Sequence, residues 1–210
     1  VISSRGYRVL GYDISRERVE YIANGCRGLR EPELESLLAS SMKSGMLRVE
    51  SDWGAVGNHD IYIVCVPTPI GRDGVDLSYI RNAIEMVSGR VRPGNLVVVE
   101  STIPPGTSRM LVKMLCRGEL KLGRDIFYAY APERILPGRM VRELTTCNRV
   151  IGCFEDRSAR LAAEFYESIT AGEVSITSPE TAEVVKLVEN MYRDVNIALA
   201  NMIARICSCF

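Results

Sequence analysis

Four strand-like runs in this 210-residue chain stop at residues that could hold a ligand. Asp13 follows Arg8-Val9-Leu10-Gly11-Tyr12, and Pro67-Thr68-Pro69 follows the apolar run from Asp60 to Val66. Glu100-Ser101-Thr102 follows Leu96-Val97-Val98-Val99, and Pro132-Glu133 follows a run from Ile126 to Ala131. Ligands of open α/β sheets sit at the carboxyl ends of strands, and an acidic residue there can accept hydrogen bonds from a ribose. Far along the chain Lys186, Asn190, Arg193 and Asn201 share one helical face, within about 80° at ~100° per residue. Each of these has a plainer reading. An aspartate after a strand is often a turn former, prolines terminate strands, and by spacing alone the Lys186 face is a solvated helix surface.

The elements that must position these residues alternate along the chain. Ser15 caps a helical stretch with Val19 and Ile22 on one face, and Leu34, Leu37 and Leu38 mark a second beginning near Pro32. Further helices are expected at Leu77–Ser88, Ser108–Cys116 and around Ala159–Ser168, with strands at 149–152 and 173–176. Apolar runs without polar alternation suit strands buried on both faces of a parallel sheet. The pattern predicts an α/β, Rossmann-like, doubly wound sheet. Ser178-Pro179 then opens a long helix reaching about Cys207, whose apolar stripe is Val184, Val188, Met191, Val195, Ala198, Met202 and Ile206. A helix of that length bridges domains or subunits.

Composition narrows the function. Lys+Arg and Asp+Glu are 26 each, which gives no reason to expect nucleic acid or an anionic membrane as partner. No apolar run approaches the ~20 residues of a membrane span. The seven cysteines are scattered without a CxxC pair and His59 is the single histidine, so neither a zinc site nor a disulfide framework is expected. Reduced thiols suit the cytoplasm. No glycine cluster offers a phosphate cradle: Gly71 and Gly74 lie in a polar turn, and Gly25 and Gly28 follow a helix end.

Taken together, the strand ends resemble the UDP-glucose/GDP-mannose dehydrogenase family. The residues that carry the resemblance are Gly11-Tyr12-Asp13-Ile14, Glu31-Pro32-Glu33-Leu34, residues 64–69 (VCVPTP), residues 100–107 (ESTIPPGT), residues 131–138 (APERILPG) and residues 186–201 (KLVENMYRDVNIALAN). They cover almost the whole chain in order. The 132–138 stretch and the 193–201 segment are most similar to the branch acting on UDP-N-acetylhexosamines, especially UDP-N-acetylmannosamine. The UDP-glucose branch typically has a second glutamate where Pro137 stands.

The resemblance implies an NAD-dependent enzyme that oxidises a UDP-sugar's C6 alcohol to the uronic acid, for cell-surface polysaccharide synthesis. Two successive hydride transfers to NAD pass through a cysteine-bound thiohemiacetal and thioester. By position it implies that Asp13 binds the ribose with Arg18 nearby, and that Thr68 and Thr102 line the nicotinamide side. Glu133 would assist hydrolysis, as a carboxylate whose pKa burial has raised can activate water. Arg134 and Ile135 would touch the substrate, and Lys186, Asn190 and Arg193 would face the nucleotide sugar. An ammonium at Lys186 can stabilise oxyanion character, and the amide of Asn190, one turn on, can join it on the same oxygen.

The implied organisation is an NAD-binding domain over 1–177 without its first strand and glycine loop, then the start of a central helical domain over 178–210 that forms a homodimer. The nucleophilic cysteine in a GxGGxC segment and the UDP-binding third domain are expected outside these residues. Cys207 and Cys209 do not take the nucleophile's place, and Met202 stands where the family has glutamate. The 210 residues alone are therefore expected to bind NAD poorly and to form no NADH. Two other readings stand beside this one. A different Rossmann oxidoreductase, such as a 3-hydroxy acid dehydrogenase, explains Lys186 and Asn190 but not residues 31–34 and 132–138. A non-enzymatic dimerisation module would rest on the 179–207 helix.

Overall fold

The structure, a computed structural model, describes residues 1–26, 31–72, 74–135 and 138–210; Gly28, Leu136 and Pro137, which figure in the sequence reading, lie outside the described residues. The chain divides into two units, one comprising Val1–Asp60, Arg134–Arg149 and Leu161–Ser175, the other Ile61–Glu133, Val150–Arg160 and Ile176–Phe210.

In the first unit β1 (Val9–Tyr12) pairs in parallel with β2 (Leu47–Glu50), from Val9 opposite Leu47 to Tyr12 opposite Glu50. Helices α1 (Arg16–Ala23) and α2 (Pro32–Lys43) connect them. The Ser15 hydroxyl accepts from the Arg18 N–H and so caps α1. Tyr12 meets Trp53 edge-on with ring centroids 5.0 Å apart. The short helix α5 (Met140–Thr146) packs against α2, and the buried Glu31 accepts a hydrogen bond from the Gly138 N–H. β2 and α5 were not expected from the sequence. Leu47-Arg48-Val49-Glu50 alternates for only four residues, and α5 has seven residues with none buried, so neither leaves a strong periodic trace.

The second unit holds the parallel strands β3 (Ile61–Val64), β6 (Leu96–Val99) and β7 (Phe127–Tyr130). All four residues of β6 and of β7 are buried, which is why these runs carry no polar alternation. A small antiparallel hairpin, β4 (Ile70–Gly71) with β5 (Gly74–Val75), follows β3. Helix α3 (Ser78–Ser88) turns Ile80, Ile84 and Val87 inward and packs against α4 (Thr107–Leu115), which buries Leu111 and Leu115.

With β8 (Arg149–Gly152) and β9 (Val174–Thr177) the five-stranded sheet runs β3-β6-β7-β8-β9. β7 and β8 are antiparallel through Tyr130 and Gly152, a departure from the parallel repetition expected. Helix α6 (Asp156–Glu167) joins β8 to β9. The pair β1 and β2 forms a sheet of its own. The architecture is α/β and Rossmann-like, with a mainly parallel sheet, and it ends in one long helix.

That helix is α7 (Pro179–Cys207), 29 residues, about 43 Å at ~1.5 Å per residue. Ser178 caps it by accepting from the Thr181 N–H at 3.2 Å. The packed face differs from the apolar stripe read from sequence. Pro179, Ala182, Glu183 and Lys186 are buried, whereas Val188, Met191, Val195, Met202 and Ile206 are exposed. The apolar stripe is exposed within this chain, and residues 191–210 are exposed throughout.

Candidate active site at the strand ends

In the second unit the carboxyl ends of β3, β6 and β7 are stitched side to side. The parallel ladder runs one step past its strands, Glu100 N–H donating to Val64 O at 3.0 Å and Ala131 N–H to Val99 O at 2.9 Å. Side chains then take over from backbone. Ser101 Oγ accepts from the Val66 N–H and donates to Val66 O, both at 2.8 Å. Thr68 Oγ1 donates to Thr102 O at 2.7 Å, which brings the two threonines expected on the cofactor side together. Cys65 Sγ donates to Glu100 Oε2 at 3.3 Å, and the Glu133 N–H donates to Glu100 O at 3.3 Å.

α7 adds the cation. Lys186 is 9% exposed, and its Nζ donates to the backbone carbonyl of Glu133 at the end of β7. An ammonium withdrawn from water requires an acceptor of this kind. Asn190, one turn further, is half-buried, and Arg193 is exposed. Thr68, Thr102, Glu133 and Lys186 are thus brought to one end of one sheet, and Arg193 is carried away along the helix.

Two residues that sequence reasoning did not single out hold this arrangement. Gly152 of β8 lies under the first turn of α7, where an added Cβ would meet Pro179 Cα at 2.5 Å and Ala182 Cβ at 2.9 Å. Glu183 is wholly buried and accepts from the N–H groups of Gly106 at 2.5 Å and Ser108 at 2.8 Å. An acidic residue three positions before a lysine reads from sequence as an ordinary exposed helix pair. The signal that could have distinguished it was the Gly106 turn, whose φ of +87° favours glycine.

In the first unit Asp13 stands just past β1. Its Oδ1 accepts from the Ser15 N–H at 2.9 Å, and Arg18 Nη1 lies 3.0 Å from Oδ2. The carboxylate is partly open, which leaves lone pairs for a diol and fits the ribose of a dinucleotide. Arg134 and Ile135 are half-buried. Arg134 Nη1 donates to Asn148 O at 3.4 Å, and burial lowers the guanidinium's pKa, with Cys147 opposing and Arg149 adding to the shift. Among the described residues no group of three His, Cys, Asp or Glu could hold a metal ion. No helix among them is long and apolar enough to cross a membrane.

Residues 1–170 match the NAD binding domain of the UDP-glucose/GDP-mannose dehydrogenase family, and residues 180–210 match that family's central domain. The chain is 41% identical over 205 residues to the UDP-N-acetyl-D-mannosamine dehydrogenase of Pyrococcus horikoshii, covering 97% of this chain and 49% of that protein. It is 39% identical to the enzyme of the same name from Methanococcus maripaludis, covering 99% of this chain and 47% of the relative. The solved structure of the Pyrococcus horikoshii protein superposes with a TM-score of 0.87 over 95% of this chain and 48% of that one, at 41% identity. A GDP-mannose dehydrogenase from Pseudomonas aeruginosa gives 0.86 at 29% identity, over 95% and 48%. The chain spans about half the length of the relatives it matches.

Proposed function

We propose, for a chain that belongs to the UDP-glucose/GDP-mannose dehydrogenase family, that its protein oxidises the C6 alcohol of UDP-N-acetylmannosamine to the uronic acid with NAD. The observation that carries the reading is Lys186, buried at the foot of α7 with its ammonium on the Glu133 carbonyl. NAD, when bound, supplies the hydride acceptor. Asp13 takes the adenosine ribose hydroxyls, steadied by Arg18. Thr68 and Thr102, tied by a 2.7 Å hydrogen bond, flank the position of the nicotinamide. Lys186 places a fixed positive charge where oxyanion character develops, and the Asn190 amide joins it from the next turn. Glu133 serves the hydrolytic step, and Arg134, Ile135 and Arg193 contact the nucleotide sugar.

We assign residues 1–177 to the cofactor-binding domain and 178–210 to the start of a central domain. The exposed residues Val188, Met191, Val195, Met202 and Ile206 form an apolar face suited to a second copy of the protein, which supports a homodimer. The seven free thiols suit the reducing cytoplasm.

The substrate assignment is tested on the chain extended to the length of its relatives with the flanking segments of the Pyrococcus horikoshii protein. Initial NADH formation is expected to be faster with UDP-N-acetylmannosamine than with UDP-glucose. Equal or faster turnover of UDP-glucose would overturn the substrate assignment.

A further inference from the structure

Lys186 can act on one oxygen only if α7 is fixed in rotation and in height, yet within this chain most of that helix is exposed. From residue 191 onward every position is exposed. The buried contacts of the helix within this chain lie in its first two turns, with Glu189 and Asn190 half-buried beyond them. Ser178 caps the end, and Gly152 sets how closely the first turn approaches β8. Neither contact sets the rotation at the second turn.

Glu183 does. Its carboxylate is wholly buried, so its oxygens need donors from the protein. Two backbone N–H groups satisfy it, Gly106 at 2.5 Å and Ser108 at 2.8 Å, where α4 begins and the helix dipole favours an anion. The partner is itself fixed: the buried Tyr128 hydroxyl of β7 donates to Ser108 Oγ at 2.9 Å. Glu183 and Lys186 are three residues apart, about 60° around the helix and ~4.5 Å along it, so they stand on one face. The carboxylate faces the start of α4, and the ammonium faces the end of β7.

We propose that Glu183 is the positioning residue of this site, a buried carboxylate latch on the Gly106 and Ser108 N–H groups that holds the Lys186 amine on the Glu133 carbonyl. Its mechanistic meaning rests on the proposed dehydrogenase reading, but the latch itself is a geometric claim about Lys186. Glu183→Gln keeps the side chain's shape and one acceptor oxygen while placing an NH2 against a backbone N–H. Glu183→Asp keeps the charge and shortens the reach by one methylene. A residue that merely caps α4 would lower stability when changed and leave Lys186 where it is in molecules that remain folded.

The test is competitive acetylation of the folded 210-residue chain with acetic anhydride, read by mass spectrometry. Lys186 is measured against the exposed Lys113 in the same sample. In wild type the Lys186 amine is expected to label slowly. Glu183→Gln is expected to raise its ratio to Lys113 by about tenfold, the scale on which a lost charge-assisted hydrogen bond acts, and Glu183→Asp by less. An unchanged ratio in a folded Glu183→Gln chain overturns the proposal. Should neither variant fold, the wild-type chain answers under rising urea. Lys186 labelling and hydrogen exchange at the Gly106 and Ser108 amides must then rise together, and Lys186 release while those amides stay protected overturns the latch. In the extended protein the same variants should lower kcat with little change in KM for the UDP-sugar. A labelling change without any dehydrogenase activity would leave the latch standing and remove the functional reading instead.

Discussion

A buried polar side chain is informative because it has to be satisfied. Lys186 meets the Glu133 carbonyl, Glu183 meets two N–H groups, and Ser101 both accepts from and donates to Val66. Cys153, just past β8, shows the same rule in a titrating group. Burial, with Glu155 adding to it, pushes its thiol up to about 12 from 9.0. A raised thiol pKa means that the folded chain favours the protonated form. The stabilisation is complete below about pH 9 and is lost as pH rises through the folded value. Urea denaturation from about pH 8 to about pH 10.5 should show a smaller alkaline loss of stability in Cys153→Ala than in wild type. An identical pH slope in the two proteins would show that the thiol is not perturbed. Of the single residues, those at strand ends were legible in the sequence, because Thr68, Thr102 and Glu133 follow unbroken apolar runs. Glu183 and Gly152 were not, because their importance lies in contacts with segments about 75 and about 30 positions away, which no local spacing reveals.

Among the elements, β6, β7 and α3 were readable because burial on both faces or along one stripe leaves a long apolar trace, and α7 because its cap and its apolar periodicity run on for 29 residues. β2, α5 and the β4–β5 hairpin were missed because each is short or largely solvated. The antiparallel entry of β8 was hidden too, since a strand's direction leaves no mark on its own composition. For α7 the sequence located the helix and its apolar stripe, which is exposed here, because apolar periodicity reports a face that wants a partner without saying where the partner is. The face that packs here depends on a void at Gly152. Gly152→Ala would put a Cβ 2.5 Å from Pro179 Cα and 2.9 Å from Ser178 O, backbone atoms that cannot rotate away. The variant should lose ~1–3 kcal/mol, as overpacking of a close contact does, measured by urea denaturation. Wild-type stability in Gly152→Ala would mean that α7 does not sit on β8 as described.

At the scale of the whole molecule the family assignment and the fold agree, and the proposed reaction comes to rest on one lysine. The resemblance carried Lys186 to the site by position, and the structure buries it at the end of β7, away from the solvated surface that spacing alone would have given it. The measurement that bears most directly on this account is NADH formation from UDP-N-acetylmannosamine by the extended protein, wild type against Lys186→Ala. A preorganised charge at a developing oxyanion is worth ~3–4 kcal/mol, so turnover should fall by about two to three orders of magnitude while substrate binding falls less. Turnover within about threefold of wild type, well under ~1 kcal/mol, would contradict the account and leave Lys186 a buried structural tie between α7 and β7.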